Sequence, residues 1–432
     1  MNFRYRKFIV FLFLYVSLVG TSYADLIDRL SGAEKQAAIQ IFKLANKTLN
    51  DDFIWEEGKN YEWDGYHDGY LQIKYPRGKR KTLRYAKHRL MLDKQYRVVF
   101  IASEYTALSD LRLLKHFPYL KAFRFSDTKI KDFSTLPKLP KLEEIILRDS
   151  GLTSMRGLQR ASGLTALDLT SNELTKIDHL EKMKKLRRLN LINNRIQKIS
   201  GLENNRNLEY LELKQNLDIS KMEGLSSLIK LKILNLASNK KLKKIEGVET
   251  LRNLIYLDLA LCSIEKIENL QNNINLLELR LSYNRIPRLE GLSTLIKLEY
   301  FTLNKNRIRK LENLENLTNL MVLQLNDNPI SKLENLEKLT ELRKLYLQNS
   351  NISKLEGLDN LSKLIQLDIM GTNVKRIENV GGLKGIAFIF FPAGIVGLPE
   401  NEKAYDDLNK VMRVNGKKKA EDYHTYVHDR YF

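Results

Sequence analysis

The stretch that decides the fold is LMVLQLNDNPISKLENLEKLTE, residues 320–341. Leu323 and Leu325 are separated by one polar residue, which is the alternation of a short strand with one buried face. The apolar residues that follow are spaced by threes, which suits turns or 3₁₀ segments. Between the two parts stands Asn328, whose side-chain amide needs hydrogen-bond partners if it is buried. The stretch therefore predicts one short strand followed by a chain of turns.

This unit recurs along the chain, and its recurrence predicts a repeat architecture. Twelve units begin with L-x-x-L-x-L or a close variant, and the last extends to about residue 385. Ten have a period of 22 residues, whereas the units that begin at Leu208 and Leu231 have 23. The units begin at Leu120, Leu142, Leu164, Leu186, Leu208, Leu231, Leu254, Leu276, Leu298, Leu320, Leu342 and Leu364.

The units resemble leucine-rich repeats, and the N-x-I-x-K-I pattern at residues 194–199 is similar to the 22-residue class of the bacterial internalins and the nuclear phosphatase-1 regulators. The resemblance extends over roughly 60% of the chain. It implies an α/β leucine-rich-repeat solenoid, a curved horseshoe with a parallel β-sheet on its concave face and 3₁₀ or turn segments on its convex face. Helical or irregular caps are expected at both ends.

The first residues have the pattern of a secretory signal peptide. Arg4, Arg6 and Lys7 precede an apolar run, and Ser22 and Ala24 supply the small residues of a cleavage site. The run is shorter than the ~20 residues that a membrane-spanning helix needs. We therefore expect residues 1–24 to be removed and the mature protein to be secreted, or periplasmic in a bacterium with two membranes.

The remaining sequence divides into a cap, a solenoid and a second cap. Residues 25–95 are predicted to form the N-terminal cap, with a helix that begins at a capping box of Ser31 and Glu34. The helix is followed by an aromatic-rich segment of irregular hairpins, with a turn at residues 76–78. Residues 96–394 are predicted to form the solenoid, with regular repeats at 120–385, and residues 395–432 a C-terminal cap helix and a basic polar tail.

The chain is strongly basic, with a net charge of +20, and loss of the signal peptide removes three positive charges to leave +17. Such a protein can bind an anionic glycan or lipid surface. In the repeats, however, a basic residue regularly stands two places before a glutamate, which predicts a solvated ladder of weak ion pairs. The basic column is Lys244, Lys266, Arg288, Lys310, Lys332, Lys354 and Arg376, and the acidic column is Glu246, Glu268, Glu290, Glu312, Glu334, Glu356 and Glu378.

One polar position recurs eight residues after each repeat begins, and we call it the asparagine ladder. Cys262, the only cysteine, stands in this ladder, so we expect a buried structural thiol. Thr128, Ser150, Ser350 and Thr372 replace asparagine near the two ends, which predicts looser polar bonding there. The ladder consists of Asn172, Asn194, Asn216, Asn239, Cys262, Asn284, Asn306 and Asn328.

Side chains beside the strand leucines are predicted to face the concave side, where they are free of core constraints. Tyrosine and aliphatic residues recur there in the middle repeats, and exposed residues of these types are the usual components of a protein-binding patch. The alternative is that tyrosine simply favours strands. The predicted protein-binding residues are Tyr210, Ile233, Tyr256, Glu278, Arg280, Tyr283, Tyr300, Val322 and Tyr346.

The sequence offers no catalytic, cofactor or metal site, so we predict a protein that is not an enzyme. The leading interpretation is a monomeric, exported recognition protein that binds a protein partner, such as a host surface protein, through its concave face. The alternative is a polyanion, glycan or envelope surface bound by the basic columns and the aromatic N-terminal cap. An intracellular scaffold of the phosphatase-regulator type ranks third. No nucleic-acid partner is expected.

Overall fold

The computed structural model describes residues 30–43, 62–67, 70–74, 80–83, 89–92, 97–375 and 382–392. They fall into two compact units, of which the first comprises residues 1–130 and 135–146 and the second residues 131–134 and 147–432. The expected signal peptide, the turn at residues 76–78 and the C-terminal cap lie outside the described residues.

The first unit contains one helix and small sheets. Helix α1 (Gly32–Lys43) begins at the predicted capping box, because the Ser31 hydroxyl accepts the backbone N–H of Glu34 and the Glu34 carboxylate accepts the backbone N–H of Ser31. The helix lies against strand β5 and a 3₁₀ helix at Arg112–His116. The strands of this unit are β1 (Glu62–His67), β2 (Tyr70–Lys74), β3 (Arg80–Leu83), β4 (Arg89–Leu92), β5 (Val98–Glu104) and β6 (Ala122–Ser126), while β7 (Glu144–Arg148) has residues in both units.

Strands β1, β2 and β3 form an antiparallel sheet in the aromatic-rich segment. Strand β4 pairs antiparallel with β5, and β5 pairs in parallel with β6. The change from antiparallel to parallel pairing marks the place where the repeat pattern begins.

The second unit is a solenoid in which each coil contributes one three-residue strand to a parallel sheet. Its only described helix is a 3₁₀ turn at Leu158–Arg160, and turns connect the other coils. The predicted leucine-rich-repeat solenoid with a parallel sheet is therefore confirmed. Its strands are β8 (Ala166–Asp168), β9 (Arg188–Asn190), β10 (Tyr210–Glu212), β11 (Ile233–Asn235), β12 (Tyr256–Asp258), β13 (Glu278–Arg280), β14 (Tyr300–Thr302), β15 (Val322–Gln324), β16 (Lys344–Tyr346), β17 (Gln366–Asp368) and β18 (Phe388–Phe390).

The strands pair in one unbroken register, so equivalent residues of successive coils lie side by side. Leu279, Phe301 and Leu323 stand opposite one another at the middle of β13, β14 and β15, and all three are fully buried. The apolar residues spaced by threes are buried in the same core. Each fully buried leucine contributes about 1.5–3 kcal/mol, so stacking supplies most of the stability of the solenoid.

A left-handed residue recurs where the coils turn, and it is glycine in some coils, asparagine in others and His179 in one. At Gly224, with a φ of 76°, an added Cβ would lie 1.9 Å from the carbonyl oxygen of Ile199 in the preceding coil. At Asn335, with a φ of 59°, the side-chain Nδ2 donates to the carbonyl oxygen of Leu311 at 2.6 Å. Glycine thus allows neighbouring coils to approach closely. Asparagine instead joins the coils by a hydrogen bond from its side chain.

Candidate protein-binding face

The first and third residues of each strand in the second unit point away from the leucine core, and we call this surface the outer sheet face. The alternation follows from strand geometry, since successive side chains point to opposite sides of a sheet. In β14, for example, Phe301 is buried in the core while Tyr300 and Thr302 lie on the outer sheet face. Eight of the nine predicted binding residues hold these strand positions, and Tyr283 lies in the turn after β13.

The outer sheet face carries a depression of about 510 Å³, which we call the central groove. It spans strands β12 to β17 and the turns that follow the strands. Its strand residues are Asp258, Glu278, Arg280, Tyr300, Thr302, Val322, Gln324, Lys344, Tyr346, Gln366 and Asp368, and its turn residues are Ala260, Leu261, Ser282, Tyr283, Asn304, Asn326 and Gln348.

The structure brings six of the nine predicted binding residues together in the central groove and leaves three outside it. The groove residues are Glu278, Arg280, Tyr283, Tyr300, Val322 and Tyr346. Tyr210, Ile233 and Tyr256 lie on β10, β11 and β12, on the side of the groove nearer the start of the solenoid. Among the nine, Tyr283 presents the most open ring, with 47% of its surface exposed.

The expectation that these residues form an exposed apolar patch is wrong for several of them. Tyr256, Tyr300 and Val322 are each only 7% exposed, and Ile233 and Glu278 are buried as well. Tyr300 and Val322 form a cluster against which Leu277, Met321 and Tyr346 pack. The physical reason is the short distance of ~4.8 Å between strands, which places large neighbouring side chains in contact with one another. They form a wall of the groove rather than a free apolar surface.

A row of polar residues that the sequence prediction missed forms another wall of the groove. The Ser282 hydroxyl, the Asn304 Oδ1 and the Asn326 Oδ1 each accept a backbone N–H from the next coil, at 3.1, 2.9 and 2.9 Å. The donors are the N–H groups of Asn304, Asn326 and Gln348. The sequence signal for this row is a polar residue six places after the start of the repeat in four successive coils. In the structure the row bonds neighbouring coils to one another.

Tyrosine and acid pairs set the electrostatics of the face near the groove. The Tyr210 hydroxyl donates to Glu212 at 2.7 Å, and the Tyr256 hydroxyl donates to Asp258 at 3.1 Å. Burial raises the pKa of Glu212 from 4.5 to about 8, and the charge of Asp258 adds to this shift. Burial also raises the pKa values of Asp258 and Glu278, although the neighbouring Arg280 opposes both shifts.

The central groove differs in charge from the chain as a whole. Its lining has three acidic residues, Asp258, Glu278 and Asp368, and two basic residues, Arg280 and Lys344. The whole chain has a net charge of +20. The groove is therefore mildly acidic on a basic protein, which disfavours a polyanion as its ligand.

The residues of the asparagine ladder are buried, and they bond the coils to one another. In Asn306, for example, Nδ2 donates to the carbonyl oxygens of Leu281 and Leu303 at 2.9 Å, and Oδ1 accepts the N–H of Ile286 at 3.0 Å. Cys262 is buried in the same column, and its thiol donates to the carbonyl oxygen of Leu236 at 3.3 Å. Near the end of the column, Thr372 bonds within its own coil, to Ile369.

The basic column is more open than a ladder of ion pairs would be. Its six described members are all exposed, whereas Arg376 and Glu378 lie outside the described residues. Two of the six have a carboxylate within 4.0 Å among the described residues, namely Lys266 with Glu268 at 3.9 Å and Arg288 with Glu312 at 3.3 Å. The predicted ladder thus forms only in part.

Within the described ranges, no group of three or more His, Cys, Asp or Glu side chains is arranged to bind a metal ion. No described helix has the length and apolarity that crossing a lipid bilayer requires.

Residues 162–204 match the family described as leucine-rich repeats in two copies. No curated protein matches the sequence. Among solved structures, an internalin (inlF) from Listeria monocytogenes strain 4b F2365 is similar, with a TM-score of 0.62 and 23% identity over 68% of this chain and 86% of that chain.

Two further structures share the fold at lower similarity. The functional domain of InlJ from Listeria monocytogenes, which includes a cysteine ladder, has a TM-score of 0.51 and 19% identity over 68% of this chain and 63% of that chain. A chain of the Drosophila Toll–Spatzle complex has a TM-score of 0.51 and 17% identity over 67% of this chain and 42% of that chain. This chain thus spans less than two thirds of either of these two proteins, and the identities establish a fold rather than a function. The chain carries leucine-rich repeats and folds as a leucine-rich-repeat solenoid.

Proposed function

We propose that this chain is an exported, non-catalytic recognition protein that binds a protein partner through the outer sheet face. The central groove is the observation that carries the proposal. It combines an apolar wall, a half-buried tyrosine, fixed amides and a few charges, which is the composition of protein-binding surfaces. The solenoid resembles internalins, and this likeness supports a binding role.

Export is the part of the proposal that rests on the sequence of residues 1–24. The arrangement of basic residues, apolar run and small residues at Ser22 and Ala24 supports cleavage and release of the mature chain from Asp25. A surface protein of a host cell and a component of the producer's own envelope are the partner classes that an exported recognition protein meets.

The experiment is capture of partners from host-cell surface extracts and from the producer's envelope, using residues 25–432 as bait. Thr302→Trp places a large ring in the groove at a half-buried position whose side chain is not needed for the fold, so we expect captured protein to fall at least about tenfold. Tyr283→Ala removes the most exposed ring and should weaken capture by a few-fold. Tyr256 and Tyr300 are poor test sites, because both are 7% exposed and their truncation would open cavities.

The matched control is Lys338→Trp, which adds the same ring at an exposed turn away from the groove. It should leave capture unchanged. A partner that binds wild type, Thr302→Trp and Lys338→Trp equally well contradicts binding through the outer sheet face.

A second candidate, binding of an anionic glycan or lipid surface, is favoured by the open basic column. Lys244, Lys310 and Lys332 are exposed, with no carboxylate within 4.0 Å among the described residues. Binding of heparin or of anionic vesicles by this column should fall steeply with salt, whereas binding through the groove should change little. Replacing these three lysines by glutamine should abolish the salt-dependent binding and leave groove binding intact.

A further inference from the structure

Two tyrosine–acid pairs of the same design lie two strands apart on the outer sheet face. The first is Tyr210 and Glu212 on β10, and the second is Tyr256 and Asp258 on β12. In each pair the tyrosine is the first residue of its strand and donates its hydroxyl to the acid at the third. The two pairs differ in the residue that lies opposite the acid on the next strand.

The second pair already holds a guanidinium group. The Cζ atom of Arg280 lies 5.2 Å from the centroid of the Tyr256 ring, and its Nη1 lies 4.0 Å from Asp258 Oδ2. The Arg280 Nε also donates to Glu278. Register explains this arrangement, because Arg280 on β13 stands directly opposite Asp258 on β12. The chain itself thus shows which ligand chemistry suits a tyrosine–acid pair on this face.

The first pair has a neutral residue at the corresponding place. Asn235 on β11 stands opposite Glu212 on β10, and its Oδ1 accepts the backbone N–H of Ala237 at 3.0 Å within its own turn. The Asn235 amide lies near enough to oppose the rise in the pKa of Glu212 that burial causes, but it has no charge and does not neutralise the carboxylate. The charged side chains that act on Glu212 are Asp258, which repels its ionised form, and Lys214, which attracts it.

Glu212 is left incompletely bonded in this setting. The residue is only 6% exposed, its Oε1 accepts the Tyr210 hydroxyl, and its Oε2 is buried with no donor at hydrogen-bonding distance among the described residues. Burial raises the pKa of this carboxyl group to about 8, so a group that supplies both a donor and a positive charge would displace its proton and satisfy Oε2.

We propose that Tyr210 and Glu212 bind an arginine side chain of the protein partner, in the way that Tyr256 and Asp258 hold Arg280. The inference rests on the proposed function and specifies one contact of it. The partner's guanidinium displaces the side chain of Asn235, which covers the buried Glu212 Oε2, and donates to that oxygen. This contact anchors the partner at the end of the groove nearest the start of the solenoid.

The first test uses N-acetyl-arginine amide as the probe and saturation-transfer NMR with residues 25–432. The arginine side-chain methylenes should receive saturation, and N-acetyl-citrulline amide, which has the same shape without the charge, should receive at least about fivefold less. Glu212→Gln should reduce the arginine signal by a similar factor. Glu290→Gln is the matched control, because the same change is made in the acidic column away from the outer sheet face. Equal signals for the two probes, or an unchanged signal in Glu212→Gln, would overturn the proposal.

The second test fills the site from within the chain. Asn235→Arg places a guanidinium where Arg280 stands relative to the second pair, so it should exclude the probe. The same substitution should stabilise the wild-type chain but not the Glu212→Gln variant, with about a tenfold coupling in the unfolding equilibrium constant. A coupling of zero overturns the proposal without any ligand. Glu212→Gln keeps the side-chain shape, so the first test remains decisive if Asn235→Arg fails to fold.

Captured partners separate this inference from the proposed function. A partner that is lost with Thr302→Trp but retained with both Glu212→Gln and Asn235→Arg binds through the face without the arginine contact, and the inference is wrong. A partner that is retained with Thr302→Trp contradicts the proposed function itself. We expect loss with all three variants.

Discussion

The backbone N–H of Leu242 donates to the carbonyl oxygen of Asn239 at 3.0 Å, inside one of the two 23-residue repeats. In the 22-residue repeats that are followed by a ladder asparagine, the equivalent N–H bonds across to the next coil, as Ile286 does to Asn306 Oδ1. The extra residue therefore withdraws a donor from the following coil. The ladder residue of that coil is Cys262, and a thiol needs no donor. Cys262 thus fits a coil that receives no donor from the repeat before it, whereas the coil after the other 23-residue repeat keeps an asparagine, Asn239.

The other 23-residue repeat gives a testable comparison between Asn239 and Asn306. Ile219 bonds back to the carbonyl oxygen of Asn216, and Asn239 Oδ1 is consequently buried with no partner in the described part of the chain. Asn239→Cys loses the three Nδ2 bonds, whereas Asn306→Cys loses three equivalent bonds and also the bond from Ile286. We expect Asn306→Cys to cost about 1–2 kcal/mol more in the free energy of unfolding, measured by urea denaturation. Equal losses would mean that the repeat length does not control the ladder.

Cys262 should be chemically inert in the folded protein. Burial raises the pKa of its thiol to about 12, so almost none of it is the reactive thiolate at neutral pH. Iodoacetamide should therefore label the native protein at the rate of unfolding and label the urea-unfolded protein rapidly. Rapid labelling of the native state would show that the solenoid opens locally at this coil.

Two glycines of the same repeat position should tolerate alanine very differently. Both are left-handed, but an added Cβ would lie 1.9 Å from the Ile199 carbonyl oxygen at Gly224 and 3.1 Å from the Leu333 carbonyl oxygen at Gly357. Gly357→Ala should cost about 1–2 kcal/mol for the left-handed conformation. Gly224→Ala should cost a few kcal/mol more, because the coils must move apart. Thermal melts of the two variants give the comparison, and similar melting temperatures would count against it.

The sequence was sufficient for the repeat, the strand positions and the asparagine ladder, because each depends on spacing within one coil. Val322, Leu323 and Gln324, for example, have the predicted alternation of outward and inward side chains. The burial of side chains on the outer sheet face could not be predicted from the spacing within one coil. It depends on which side chains meet across neighbouring strands, as Tyr300 and Val322 do.

The hydrogen bonds of the tyrosine–acid pairs also could not be predicted from residue spacing alone. Asp168 and Asp258 each accept the N–H two residues later in their own turn, at 3.0 and 2.9 Å, whereas Glu212 bonds to Tyr210. Asp258 also accepts the Tyr256 hydroxyl with its other oxygen, so one aspartate closes its turn and bonds a tyrosine at the same time. The distinction depends on side-chain geometry that the repeat pattern does not contain.

Glu212 should make the stability of the protein depend on pH. Its pKa is raised from 4.5 to about 8, mainly by burial, so within this window the folded state keeps a proton that the unfolded state releases. Stability should fall as pH rises through the window and become level above it. The slope from this group is at most about 1.4 kcal/mol per pH unit. Melting temperatures of wild type and Glu212→Gln should therefore diverge with rising pH in favour of the variant, and parallel curves would contradict the assignment.

Two asparagines in the leucine core, Asn205 and Asn273, should be replaceable by leucine with a gain in stability. Both are fully buried, and the Oδ1 atom of each has no hydrogen-bond partner within the residues that the structure describes. Asn205 Nδ2 donates to the carbonyl oxygens of Leu180 and Met183, but these already accept the N–H groups of Met183 and Leu186, so they keep a partner. Neighbouring coils hold leucine at this position, as at Leu228. Removing the unpaired oxygen should raise the free energy of unfolding by about 1 kcal/mol for each substitution, measured by urea denaturation. A loss of stability in Asn205→Leu would show that the bonds between coils outweigh the buried oxygen.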